Sequence, residues 1–263
     1  MPVADGLATH PDAESVAIRR IGFRDLGAAL GGGFADLGAK RTDAVFLVLL
    51  YPLIGLVIAT LAAGESALHL VFPLVSGFAL VGPLAASGLY EISRQREAGS
   101  DPGLLAAYRS AIARAGGRLF VMAVVLFSIF AAWIGAASLL WHAIMGGAAP
   151  GTPGGLLAAV FGSEEGWLLV VVGNLVGALF AALALVVSVF SLPMLIDGER
   201  SVATAIATSV RACAGNPRAV LAWGAIVGFG LALASIPALV GLMVALPLFG
   251  HATWRLYRRT IAR

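Results

Sequence analysis

Residues 219–259 read AVLAWGAIVGFGLALASIPALVGLMVALPLFGHATWRLYRR. The fold turns on whether this stretch is one helix or two. From Ala219 to Gly250 it holds no Asp, Glu, Lys or Arg, and its 32 residues exceed what one crossing needs. A hydrocarbon core about 30 Å thick is spanned by roughly 20 helical residues. Ser235-Ile236-Pro237 sits at the middle. Proline lacks an amide donor and pushes the residue before it out of helical conformation. We therefore read a hairpin, with spans at 218–234 and 237–257. The second ends in Trp254 and Tyr257, residue types that collect where membrane meets water.

Four earlier apolar runs read as spans at 44–63, 70–90, 119–141 and 167–196. The last is overlong and implies tilt or overhang. The chain of 263 residues is 60% hydrophobic and only 12% charged. A soluble domain carries about 25% charged residues, so this surface could not be covered in water. The single cysteine, Cys213, excludes an intrachain disulfide and a cysteine metal cluster. Residues 1–17 read as a disordered N-terminal tail without the apolar core of a cleavable signal. Residues 18–263 then form a single six-span membrane domain.

Charge tests the count of six. All 17 Lys and Arg fall in four clusters, Arg19 to Arg41, Arg94 to Arg118, Arg200 to Arg218 and Arg255 to Arg263. The intervening loops hold Glu65, His69, His142, Glu164 and Glu165 instead. Lys and Arg mark the cytoplasmic side, so both termini are expected there. A five-span reading would strand the last cluster outside. The pI near 9.5 does not imply a nucleic-acid partner, because the arginines sit beside spans and lack interleaved aromatics.

The basic segments show helical periodicity. Leu26, Leu30, Phe34 and Leu37 share a face, as do Leu104, Tyr108, Ile112 and Ala115, and Val202, Ile206, Val210 and Cys213. These sets predict amphipathic helices along the cytoplasmic leaflet, with arginines toward anionic lipid head groups. Inward spans also share an ending. Pro83-Leu84 precedes Tyr90, Glu91 and Arg94, and Pro247-Leu248 precedes Trp254, Arg255 and Arg258 at the same offsets. Pro193-Met194 leads into Asp197 in a shortened version. The expected fold is an all-α, polytopic membrane helical bundle. Its six transmembrane helices form three parallel repeats of an amphipathic helix plus a hairpin. Gly173-x3-Gly177 and Gly224-x3-Gly228 have the spacing of close helix contacts. Packing within the chain is the expected use, and self-association the sharper alternative.

Candidate chemistry is sparse. His69 and His142 are both predicted at outer span ends, on the side of Glu65, Glu164 and Glu165. Such a set could ligate a transition metal or haem. Their spacing matches no ligand motif, and histidines near head groups need no metal, so no cofactor and no metal are expected. His251 falls at the opposite end and His10 in the tail. Asn174 is the one amide inside a span, placed to bond a neighbouring helix or to touch a substrate. The spans lack the deep charges that ion-coupled carriers use. No phosphate loop or nucleophile elbow is present, so no catalytic residue is named.

Three stretches carry a family resemblance. They are Gly82-Pro83-Leu84 with Gly88 to Arg94, Leu192 to Leu195 with Ala205, Ser209 to Arg211 and Asn216-Pro217, and Leu246 to Arg258. Together the chain resembles, from about Ile18 to Arg259, proteobacterial predicted integral membrane proteins grouped as "domain of unknown function 2189". The resemblance implies a bacterial inner membrane and six spans, and no established activity. The expected role is a non-catalytic accessory, assembly or membrane-organising component. Its partners would be the lipid bilayer, anionic head groups and other membrane proteins or itself. The alternatives are a carrier or channel for a small neutral or amphipathic solute, and a haem- or metal-binding subunit of a respiratory complex. A fluorescent reporter fused after Arg263 should report the cytoplasm, and a periplasmic readout would overturn the six-span count.

Overall fold

The computed structural model describes residues 16–39, 55, 68–78, 82–147, 150–236 and 241–262. The expected first span at 44–63, Glu65 and nearly all of the 1–17 tail lie outside them. In chain order the described elements begin with strand β1 (Ala17–Ile18) and helix α1 (Phe23–Ala39). A 3-10 turn (Leu68–Leu70) leads into α2 (Val71–Phe78), α3 (Gly82–Ala85) and α4 (Ser87–Glu97). Next come α5 (Leu104–Met145), α6 (Pro153–Phe161), α7 (Glu164–Ser188) and α8 (Ser191–Ile196). The chain closes with α9 (Val202–Gly215), α10 (Pro217–Ser235), α11 (Leu242–Thr260) and strand β2 (Ile261–Ala262).

The block that opened the reading is two helices, α10 and α11. Pro247 lies inside α11 without ending it. Elsewhere the structure redraws the expected boundaries. The amphipathic segment at 104–115 and the span at 119–141 are one unbroken helix, α5. Its buried residues run as a single stripe from Leu104 through Ala111, Leu119, Leu126 and Trp133 to Trp141. Gly116-Gly117 and, further on, Gly135 weaken it by about 1 kcal/mol each, among strong helix formers. At 1.5 Å per residue it is about 60 Å long, twice a hydrocarbon core. Its first turns, with Arg109, Arg114 and Arg118, must therefore project from the bilayer.

The 167–196 span is broken at Val189-Phe190 between α7 and α8. Ser209 of α9 repairs the break: the Phe190 amide donates to Ser209 Oγ (3.3 Å), which donates to the Val186 carbonyl (2.6 Å). Neighbouring hydroxyls commonly satisfy backbone freed in this way. The 70–90 span is likewise bent, its 68–77 and 82–97 parts meeting at 44°. Trp133 Nε1 fastens the first part to α5 by donating to the Pro73 carbonyl (2.9 Å).

By length and composition three described helices can cross a membrane, at 104–145, 164–196 and 217–235, or four if the bent pair is one span. Helix α11 carries Arg255, Arg258 and Arg259 within its length. The fold is thus an all-α membrane protein apart from one two-residue ladder. In that ladder Ala17 pairs with Ala262 and Ile18 with Ile261, which brings the two ends of the described chain together. Asn216 secures the same junction. Its Oδ1 accepts from the Ile21 amide (2.8 Å), and its Nδ2 donates to the Arg19 carbonyl (3.1 Å).

The expected amphipathic faces are divided: Leu26, Leu104, Ala115 and Cys213 are buried, while one large residue of each face is exposed. Helix α1 buries Leu26, Ala29, Gly33 and Asp36 but leaves Phe34 57% exposed. Helix α5 buries Ala107 and Ala111 and leaves Ile112 62% exposed, and α9 buries Ala205 and Ala212 and leaves Val210 42% exposed. Small residues allow closer helix approach than large ones, so they take the contact face. At Gly33 an added Cβ would stand 2.8 Å from Ala252 Cβ and 2.9 Å from the Leu248 carbonyl on α11. The two small-xxx-small pairs divide in the same sense. Gly177 and Gly224 abut Trp133 and Leu185, whereas Gly173 and Gly228 face open space.

The contact at Gly33 is testable. Gly33→Leu should lower stability by about 1–3 kcal/mol through overpacking and expose α1 to protease in detergent. Gly27→Ala, with nothing within 4 Å of the new Cβ, should leave the melting transition unchanged or slightly higher.

Candidate functional site

Polar side chains concentrate at one end of the bundle, around the last turns of α11. Arg255 donates to Asp36 of α1 in a two-pronged pair, Nε to Oδ2 at 3.0 Å and Nη2 to Oδ1 at 2.9 Å. Arg258 donates from Nε to Glu97 of α4 (3.0 Å) and from Nη1 to Asp197 after α8 (3.2 Å). Between them, Trp254 Nε1 donates to Glu97 (3.0 Å) and the Tyr257 hydroxyl to Asp197 (2.8 Å). The helical spacing of 254, 255, 257 and 258 points these groups at three different neighbours. Trp254 and Tyr257 are fully buried. They were expected at the membrane interface, but α1, α4 and α8 close around this turn and convert them into core residues with paired polar tips.

A second centre adjoins it on α4. Glu91 is buried and accepts from Arg94 Nε (2.8 Å) and Nη2 (2.7 Å), Gln95 (2.6 Å) and Ser110 (2.8 Å), with Arg114 at 4.0 Å. A buried carboxylate is tolerated when its lone pairs are met this fully. Ser93 Oγ lies 2.7 Å from Nδ1 of the buried His251. Tyr108, from α5, donates to the Ala85 carbonyl across the α3–α4 corner. An added Cβ on Gly88 would stand 2.3 Å from the Tyr108 ring, so the corner admits only glycine there.

Chemically the arrangement is closed. Asp36, Glu91, Glu97 and Asp197 each accept from an arginine. The Cys213 thiol is pushed up to about 11 by burial, so it is not a thiolate at neutral pH. Arg24, Arg109, Arg200 and Arg218 lie exposed around this end.

The sequence pointed instead to His69, His142 and Asn174. The structure brings the first two together, with ring centres 5.9 Å apart and planes nearly perpendicular. Trp141 covers His69 at 5.1 Å. Ser110 in the network and His142 are 32 residues apart on α5, or about 48 Å. The histidine pair and the arginine network therefore sit at opposite ends of the bundle. Asn174 joins neither. It is exposed, and its Nδ2 donates to the Val170 carbonyl of its own helix (2.7 Å), not to a neighbouring helix as expected.

The repeated proline-aromatic-arginine endings marked Glu91, Arg94, Arg255 and Arg258. Of their partners, Asp197 stood in the shortened third ending, while Asp36 and Glu97 were missed. The one signal was the presence of acidic residues within arginine-rich segments.

A family model described as a predicted integral membrane protein (DUF2189) matches residues 71–197. The match spans α2 through α8 and includes the Gly82 to Arg94 stretch. The stretches at 205–217 and 246–258 lie beyond it. No curated protein and no solved structure matches the chain. The chain is an integral membrane protein with several apolar helices.

Glu91 should dominate the stability of the network. Glu91→Ala leaves Arg94, Gln95 and Ser110 without their shared acceptor and should cost about 3–5 kcal/mol, the penalty for breaking a buried pair. Asp101→Ala removes a more exposed pair with Arg96 and should cost less than about 1 kcal/mol. Melting in detergent, read by circular dichroism, compares the two.

Proposed function

We propose that this chain is a non-catalytic component of the bacterial inner membrane that assembles with or organises other membrane constituents. One contrast carries the reading. The carboxylates of the network are engaged with arginines, while the span surfaces face outward. Only 22%, 33% and 17% of the most apolar windows at 104–145, 164–196 and 217–235 are buried within the protein. Side chains such as Phe120, Phe127, Leu175, Leu179 and Phe229 are offered to lipid or to a partner helix. A rigid base below broad apolar faces suits a scaffold. It does not suit a reaction that needs a free acid, base or nucleophile.

Six spans, in three units, remain the topology we favour. The pairing of β1 with β2 supports it, because ends that meet on one side require an even number of crossings. Exposed arginines around that end support a cytoplasmic orientation and contact with anionic head groups. Phe34, Ile112 and Val210 stand exposed on basic helices at this end, where apolar side chains can enter the leaflet.

A carrier for a small solute drew its residue-level support from Asn174. That support falls away with the amide bonded to its own helix on an exposed face. Purification from native membranes in mild detergent, with identification of bound proteins, tests the scaffold reading. A reproducible set of membrane partners is expected. A lone monomer across several detergents would count against it.

A further inference from the structure

We propose that His69 and His142 form a bis-imidazole site for a transition-metal ion of the copper or zinc class, at the end of the bundle opposite the arginine network. The first observation is juxtaposition. The two residues come from separate elements, the 3-10 turn and α5, yet their ring centres are 5.9 Å apart. A metal ion about 2 Å from one nitrogen of each ring holds the ring centres about 5–6 Å apart.

The second observation concerns the nitrogens. Both His69 ring nitrogens are buried, each with less than 1 Å² exposed, and neither has a hydrogen-bond partner among the described residues. Buried polar atoms are almost always bonded, so an orphaned pair calls for an explanation. Trp141, packed on this ring, gives its Nε1 to the Gly147 carbonyl (3.2 Å) and so offers His69 no polar partner. A bound cation would satisfy one of the orphaned nitrogens.

The third observation is the tautomer of His142. Its Nδ1 lies 2.7 Å from the Ser138 carbonyl. A carbonyl only accepts, so Nδ1 carries the proton, and in the neutral ring Nε2 is the nitrogen with the lone pair. This is the arrangement by which metal-binding histidines are oriented, the far nitrogen tied to a backbone carbonyl. His142 is itself exposed, which leaves an approach for the ion and room for water in its remaining coordination positions. Imidazole nitrogen suits copper and zinc, and copper(II) heads the affinity order for such ligands.

Cu²⁺ is therefore the probe. The purified full chain in detergent is titrated with Cu²⁺, and binding and the electron paramagnetic resonance spectrum are recorded together. A single tight ion per chain is expected, with splitting from imidazole nitrogen. Affinity should fall by roughly 100-fold or more in His69→Ala and in His142→Ala. His142 is exposed, so its variant keeps the fold, and an unchanged melting transition verifies that. Equal Cu²⁺ binding by the wild type and the His142→Ala protein would overturn the proposal. So would the absence of a nitrogen-split signal, or a Soret band in the protein as purified, which would assign the pair to haem.

Discussion

The guanidinium groups of Arg255 and Arg258 reach three separate elements from one face of α11, and the base of the bundle is built around them. Each guanidinium fork demands acceptors matched to it in geometry, and partial solvent exposure makes these pairs position helices more than stabilise them. That demand draws Asp36 on α1, Glu97 on α4 and Asp197 after α8 to the same turn. Glu91 sets a similar demand on α4 and recruits Ser110 from α5. Once these pairs are made, Trp254 and Tyr257 have no route to solvent, and the C-terminal strand is delivered to β1. The network thus explains both the buried aromatics and the meeting of the two ends.

Apolar packing obeys a different rule from that of a soluble domain. In water the large apolar residues of an amphipathic helix turn inward. Here Phe34, Ile112 and Val210 turn outward, and Ala29, Gly33, Ala107, Ala111, Ala205 and Ala212 share the contact faces with a few large residues such as Leu26 and Leu104. Lipid is as apolar as leucine, so burying a large side chain gains little, and close approach of backbones decides the face. The docking of α1 on α11 through Gly33 and Ala252 is the clearest instance. The same rule accounts for the low burial of the spans.

The two polar centres differ in kind. At the arginine-rich end every carboxylate of the network has a cation, and a hydrogen-bonded histidine, His251, completes a closed set. At the opposite end His69 has nitrogens with no described partner, beside a second histidine held in one tautomer. The first centre consumes its bonding capacity in holding helices together. The second retains capacity for a ligand.

Composition and the apolar runs determined by themselves that this is an all-α membrane protein, since so few charges cannot clothe a soluble surface. Ser235-Ile236-Pro237 determined the division of the last block into two helices. The arginine clusters identified the polar end, and the proline-aromatic-arginine endings flagged Glu91, Arg94, Arg255 and Arg258. Helix continuity through Gly116-Gly117 was not legible, because two weak breakers are overruled by a buried stripe running the length of α5. The buried face of α1 and α9 was legible only in part, because periodicity groups Leu26 with Phe34 and Cys213 with Val210, while Ala29, Gly33, Ala205 and Ala212 make the close contacts. The partnerships of Arg255 with Asp36 and of His69 with His142 join residues far apart in the chain. No local spacing encodes such pairs, so only the packing of the helices decided them.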